Sequence, residues 1–389
     1  MSANKLLTKD FLSLTSANLL MAIAFYFMTP IMALFMKDSF GSDEREIGMA
    51  MFSFTIAAIL MRPFAGYLLD MLNRFAVYIF AYAMFMLFFL GYPIAASFAF
   101  LLILRFLHGL TWGSMNTAGY TIAVDLVPEK RRGEGLGVFG LSMNIAMAVG
   151  PMIALLISGN YGYNALFYAA VGFCLLGLLL IFFVKVPKTE KQRNPFSFKS
   201  LFEGKALAVS VNVMLVQVPY GGIISFIALY GRNIGVANGG TFFLLLAVGL
   251  AVSRVLSGRI FDKFGPKNVT VVGISLLIIG LVLAGFFATP IGFHAAAVVL
   301  GFGFGVISPT FQAMANSGIV PQRRGAANST FLMFFDSGVG LGMILFGLLI
   351  DIVGYAGTFY TSALVECFAL ILFLGVTYPR YMKKNNPIV

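Results

Sequence analysis

The chain has 389 residues, 60% of them hydrophobic and only 11% charged, with a mean hydropathy of +0.93. A soluble domain carries about 25% charged residues, so this balance excludes a large water-facing domain. A formal net charge of +11 could suit a nucleic-acid binder, but the lysines and arginines cluster between apolar runs, where they orient a membrane protein instead. No nucleic-acid partner is expected. Twelve bilayer-spanning helices of about 20 residues would use roughly 240 residues and leave about 150 for loops. The 42 Phe and 20 Met suit apolar surfaces, and the 42 Gly allow close helix approach.

Apolar runs fall at 11–36, 46–70, 75–95, 98–122, 134–158 and 163–185, and again at 206–230, 238–261, 267–288, 292–317, 326–351 and 358–379. The first is too long for a signal peptide and lacks a small-residue cleavage site, so it is expected to remain. The polar stretch Lys185 to Lys205 is too charged to span. Its Phe196, Phe198, Leu201 and Phe202 could form a short helix on the membrane surface. The predicted organisation is an all-α membrane protein: residues 1–186 as a first six-helix half, 187–205 as a cytoplasmic linker, and 206–389 as a second half. Cys174 and Cys367 each lie inside an apolar run with no flanking ligand residue, so neither a disulfide nor a metal is suggested.

Counting Lys and Arg by loop sets the orientation. One side collects Lys5, Lys9, Arg62, Arg74, Lys130, Arg131, Arg132, the linker and most later basic residues, while the other keeps Lys37, Arg45 and Arg232. Both termini are therefore expected in the cytoplasm. An internal repeat follows. Arg62, Gly66 and Asp70 recur as Arg254, Gly258 and Asp262, Gly109 and Gly113 as Gly301 and Gly305, and Arg131-Arg132-Gly133 as Arg323-Arg324-Gly325, all displaced by 192 positions. Two copies of one six-helix unit in a membrane protein point to a transporter.

Two segments carry a resemblance: Gly66-Tyr-Leu-Leu-Asp70-Met-Leu-Asn-Arg74, and Gly258-Arg-Ile-Phe-Asp262-Lys-Phe-Gly265-Pro-Lys267. They resemble the loop signature of the major facilitator superfamily. The second copy matches better, since the first has Asn73 where Gly is usual and Met71 where a basic residue is usual. Arg105-Phe-Leu-His-Gly109 resembles the family's Arg-x-x-x-Gly motif, associated with proton coupling. Gly150-Pro151 resembles its antiporter motif, with Ala146, Ala154 and Leu155 where glycines are usual. The resemblance implies the twelve-helix fold and alternating access. It also implies a cytoplasmic gate of Arg62, Gly66, Asp70, Arg74, Asp125, Arg254, Gly258, Asp262 and Lys267, with Gly150 and Pro151 added by the antiporter motif. A substrate cavity lined by helices one, four, seven and ten would present Asn18, Tyr26, Trp112, Asn116, Gln217, Tyr220, Ser308, Gln312 and Asn316. Trp112, the sole Trp, reads as a stacking platform or a packing residue.

Ionisable groups within a span are costly and are candidates for function. These are Asp336, Arg105 and Glu366, with His108 one turn beyond Arg105. Asp336 replaces Asn144 of the first half, and a carboxyl there can take and release a proton as its cavity opens to water. Glu366 either pairs with a neighbouring helix or faces lipid. Arg105 keeps its proton and would be a fixed charge holding backbone carbonyls or attracting an anion. His108 is a relay group or a structural hydrogen bonder. No Gly-x-x-x-x-Gly-Lys-Ser/Thr loop is present, so direct ATP drive is not expected.

The glycine run at Gly301, Gly303 and Gly305, like Gly338, Gly340 and Gly342, reads as close helix packing. No cofactor and no enzymatic reaction are expected. The partners are a small-molecule substrate, protons and the lipid of an inner membrane, and the unit is a monomer. The favoured reading is proton-coupled efflux of amphipathic compounds. The alternatives are a sugar or small-metabolite exporter, an uptake symporter, or a non-transporting membrane sensor.

Overall fold

The computed structural model describes residues 6–128, 131–187, 202–319 and 324–385, except for side chains at 70, 132, 133, 254–263, 324, 325, 384 and 385. The helices are α1 (Lys9–Phe40), α2 (Glu44–Met71), α3 (Arg74–Phe88), α4 (Phe98–Leu126), α5 (Arg132–Ile181), α6 (Leu207–Asn233), α7 (Gly240–Phe286), α8 (Pro290–Asn316), α9 (Arg324–Leu372) and α10 (Tyr378–Asn385). Among the described residues nine helical runs are long and apolar enough to cross a membrane. Six of the long helices are unbroken. The other three, α5, α7 and α9, are each interrupted by one glycine in the left-handed region: Gly162 at φ 80°, Gly265 at φ 73° and Gly354 at φ 67°. Only glycine reaches that conformation without steric cost, so each marks a turn between two spans. Counted this way, the described residues hold the twelve segments expected. Of the surface helix expected in the linker, Phe196, Phe198 and Leu201 lie outside the described residues.

The breaks and caps carry the repeat further than the motifs do. Gly354 follows Gly162 by the same 192 positions. Ser97, whose hydroxyl accepts from the Phe100 amide to start α4, recurs as Thr289, which accepts from Gly292 to start α8. Gly265 corresponds to Asn73, where the chain makes its turn by another device. The Asn73 side chain caps α3, accepting from the amides of Phe75 and Ala76, and its φ stays at −69°. That accounts for the absent glycine in the first copy of the loop signature: an N-cap supplies the helix start that Gly265 and Pro266 supply in the second.

Two compact units emerge, Met1–Ser42 with Ser53–Phe196, and Asp43–Phe52 with Ser197–Val389. The first turns of α2 group with the second unit because Gly347 has no side chain to keep them away. A Cβ there would collide with the Glu44 carbonyl, and one at Gly48 would come within 2.8 Å of the Met343 carbonyl.

Within each unit the same glycines bring the same helices together. A Cβ at Gly109 or Gly113 would strike the carbonyls of Phe54 or Ala58 on α2. In the second unit Gly301 meets Leu246, while Gly305 meets Ser253 and Leu250, on the first part of α7. Gly150 faces Tyr26 and Ile23 of α1, and its counterpart Gly342 faces the Val218 carbonyl of α6. The packing expected of Gly301, Gly305 and Gly342 is what the structure holds. Gly150 of the antiporter-like motif makes that contact too, so this glycine answers to a requirement of the fold in both units.

Gly221 gives the sharpest test, because a Cβ there would land on the Val339 backbone, whereas Gly159 has nothing within 4 Å. Gly221→Ala is expected to cost about 1–3 kcal/mol by overpacking and to lower the thermal unfolding midpoint in detergent. Gly159→Ala, in an exposed helical position, is expected to leave that midpoint unchanged or raise it.

Candidate functional site

In the first unit α4 places Arg105 and His108 one turn apart on one face. Arg105 is buried, with its guanidinium carbon 4.4 Å from the Phe54 ring centroid, a cation–π distance. The Tyr92 phenol stands close enough to interact with it electrostatically. The Tyr92 hydroxyl in turn lies 3.0 Å from His108 Nδ1. Phe85 and Phe89 pack around the imidazole at 4.4 and 4.8 Å, and His108 Nε2 has no hydrogen-bond partner among the described residues. The arrangement fixes a permanent positive charge inside an aromatic enclosure. Tyr92 was not legible in the sequence. It sits in the turn before α4, outside any motif, and only folding brings it back over the helix.

The other candidates of this unit are spread along α1, α4 and α5. Asn18 is buried and donates to Ser142 Oγ of α5 at 2.6 Å. Trp112 is stacked against Phe25 of α1 at 3.8 Å and 11°, so one ring face is occupied by the protein and the reading as a packing residue gains. Tyr26 meets Phe25 edge-on at 5.1 Å, Asn116 is half-buried and Pro151 is buried.

In the second unit Gln217 is buried on α6, and its Oε1 lacks a partner among the described residues. Tyr220 packs edge-on against Phe304 at 5.0 Å, and Ser308 is half-buried. Gln312 and Asn316, one turn apart on α8, converge on Asn328 of α9: Gln312 Nε2 and Asn316 Nδ2 donate to Asn328 Oδ1 at 3.3 and 3.1 Å. Asn328 was missed because the sequence reading took polar candidates from four helices only. Its position in the first turns of the eleventh predicted run was the available signal.

The carboxyls sit on the two parts of α9. Asp336, before the Gly354 break, is half-buried. Glu366, after it, is completely buried, and neither carboxylate oxygen has a hydrogen-bond partner among the described residues. A lipid-facing Glu366 is thereby corrected: the side chain turns into its own unit, where the inner face of the last span meets α6. One turn along that face, Asn212 Nδ2 donates to the Ala369 carbonyl at 2.8 Å, and the Thr377 hydroxyl donates to Asn212 Oδ1. Thr377 closes a π-helical turn, Phe373–Thr377, a feature often found near functional sites. The same displacement of 192 puts Cys174 at the position of Glu366 in the first unit, and it too is fully buried.

Among the gate candidates, Arg74 and Asp125 form a forked ion pair between α3 and α4, with Nη1 at 2.9 and 2.7 Å from the two carboxylate oxygens. Arg62 is half-buried and Gly66 faces open space. Lys267 is exposed, with Nζ 5.7 Å from the Tyr378 ring centroid. The side chains of Asp70, Arg254, Gly258 and Asp262 lie outside the described residues. The Arg74–Asp125 pair is mostly shielded, at 19% and 15% exposure. Asp125→Asn alone is expected to cost about 1–3 kcal/mol by leaving a partly buried guanidinium poorly paired. A thermal-denaturation cycle with Arg74→Gln is expected to give a coupling energy of about 1 kcal/mol, whereas additive losses would show the pair to be idle.

Comparison with known proteins agrees with this architecture. An uncharacterized MFS-type transporter of Methanocaldococcus jannaschii is 25% identical over 357 residues, 87% of this chain and 90% of that protein. The staphylopine export protein of Staphylococcus aureus is 24% identical over 372 residues, 89% of each. The crystal structure of the nucleoside transporter NupG superposes with a TM-score of 0.78 at 15% identity, covering 94% of this chain and 98% of that one, a likeness of fold. The sequence pattern of the Major Facilitator Superfamily matches residues 14–336, so the chain belongs to that family of membrane transporters and is not an enzyme.

Proposed function

We propose that the protein exports small amphipathic organic compounds by alternating access, driven by protons that bind carboxyls of the second unit. The observation that carries this reading is Glu366, fully buried and without a partner among the described residues. Its repeat counterpart is Cys174, so the fold can fill the same buried place with a small weakly polar group. A carboxyl there is not required for packing, and its burial is costly unless it does something. Asp336 replaces Asn144 in the same way and, being half-buried, is the more accessible of the two. Arg105 contributes the fixed positive charge of the first unit. Export, as opposed to uptake, is supported by the staphylopine export protein among the relatives. The gate residues of the loop signature, Arg74 among them, together with Asp125 would control access. The Lys and Arg distribution supports cytoplasmic termini, and the compact, short-looped chain supports an inner membrane and a monomer.

A second reading has its own observation. The amide cluster of Gln312, Asn316 and Asn328 offers both donors and acceptors, the chemistry that suits sugar hydroxyls or another small polar metabolite.

Proton movement in inside-out vesicles holding a respiration-generated pH gradient tests both. Lipophilic cations, neutral drugs, sugars and organic anions are added to vesicles with wild type, Asp336→Asn or Glu366→Gln. Amphipathic compounds are expected to collapse the gradient with wild type, and the carboxyl variants to bring the response down to that of vesicles lacking the protein. Equal collapse in all three proteins would make both carboxyls structural. A response confined to sugars would favour the second reading.

A further inference from the structure

Glu366, Ala369, Phe373 and Thr377 share one face of the last span, spaced at three or four residues, and all four are buried. Two side chains line this face between Glu366 and the end of the span. The Asn212 amide of α6 donates to the Ala369 carbonyl at 2.8 Å, and the Thr377 hydroxyl reaches both Asn212 Oδ1 and the Ala208 carbonyl. Asn212 lies in the second turn of α6, and Thr377 closes the π-helical turn. Together they occupy the roughly 16 Å of helix from Glu366 to that end.

Hydrogen bonding along this seam is incomplete. Asn212 carries two amide hydrogens, and among the described residues its amide makes the single donated bond to Ala369. One turn away, both Glu366 oxygens lack a partner among the described residues. A spare donor and two spare acceptors in one buried seam are the groups that a bridging water joins.

The first unit has the same seam sealed. Leu20 stands at the position of Asn212 and Lys185 at that of Thr377. The Tyr82 hydroxyl reaches the Ala17 carbonyl at 3.4 Å and lies against Gly177, the counterpart of Ala369. The counterpart of Tyr82 is Ile274, which has no polar atom to put there. The carboxyl and its polar seam thus occur together in one unit and are absent together from the other.

Glu366 is also the one acid on its route. Besides α6, the last span meets the second part of α7 at Gly285 against Ala356, α8 through Phe311 on Phe373 at 5.9 Å, and the first part of α9 through Phe346 on Phe359. Residues 207–219, 268–286 and 295–316 carry no titratable side chain. The first part of α9 holds Asp336 and Asp351, and the last span itself holds Tyr355, Tyr360 and Cys367. None of these acts on the Glu366 carboxyl, for which burial is the sole influence.

We propose that Glu366 exchanges its proton with the cytoplasm along this seam, past Asn212 and Thr377. The inference rests on the reading of Glu366 as a proton carrier. In release, the O–H bond of the acid breaks, a water in the seam takes the proton as hydronium, and the carboxylate left behind is steadied by the spare Asn212 hydrogen through water. Phe373, on the π-helical turn between Ala369 and Thr377, closes the seam at rest.

The test reads protonation of Glu366 without transport. N,N′-Dicyclohexylcarbodiimide enters through the bilayer and reacts with the acid form of a buried carboxyl. The acid O–H adds across one C=N bond, the O-acylisourea rearranges to a stable N-acylurea, and nothing leaves. The full chain is labelled briefly in inside-out vesicles, where the cytoplasmic face meets the medium, and Glu366 is followed by mass spectrometry. Raising the pH of the medium at constant lumenal pH is expected to suppress labelling in wild type and in Thr377→Ser. Asn212→Leu, which installs the residue of the first unit, and Thr377→Val are expected to lose that suppression while labelling as well as wild type at neutral pH. Thr377→Val keeps the shape of the side chain and carries the test should Asn212→Leu misfold. Suppression retained in both variants, or elicited in wild type by lumenal pH alone, would overturn the proposal and leave Glu366 a carrier by another path. Labelling indifferent to pH on either side would overturn the proposal and the carrier reading together.

Discussion

A helix bundle in lipid gains little from burying apolar surface, because its surroundings are already apolar, and must be held by close packing and a few hydrogen bonds. Here that packing is concentrated at glycines whose missing Cβ lets one backbone touch another. Gly109 and Gly113 on Phe54 and Ala58, repeated by Gly301 and Gly305 on the first part of α7, set one crossing in each unit. Gly150 and Gly342 set another, on α1 and α6. Everything else about the site inherits its position from these contacts. They fix which faces of α4, α6, α8 and α9 turn into the unit, and therefore that Arg105 and Glu366 are buried.

The repeat separates requirements of the fold from what each unit adds. Positions kept in both copies are crossings, caps and breaks: Gly150 and Gly342, Ser97 and Thr289, Gly162 and Gly354. Positions that differ carry the chemistry. Cys174 becomes Glu366, Asn144 becomes Asp336, and Arg105 is matched by Ala297. Acidic groups of the spans thus gather in the second unit and the buried cation in the first. A scaffold that needed these charges for stability would be expected to hold them in both copies, since the packing around them is shared.

Some substitutions between copies are neutral in this sense. Asn73 and Gly265 both turn the chain between two spans, one by capping the next helix and the other by a left-handed φ. Read as a motif, the first copy looks degraded. In backbone terms it is an alternative solution, so the imperfect loop signature is no sign that the first unit has lost its role.

The sequence by itself determined the class, the number of spans, the repeat and the family, because apolar run length and local punctuation survive in one dimension. It also picked out the charged residues within spans, since their cost in lipid makes them conspicuous wherever they face. What it could not decide was direction. Whether Glu366 faces lipid or α6 depends on the rotation of a helix whose surroundings are apolar on both sides, so hydrophobic periodicity is weak there. Trp112, stacked on Phe25, Tyr92, folded back onto His108, and Asn328, joined to Gln312 and Asn316, are decided by contacts between helices far apart in the chain. Those contacts exist only once the glycine crossings have set the distances between backbones, which is why only the tertiary structure shows them.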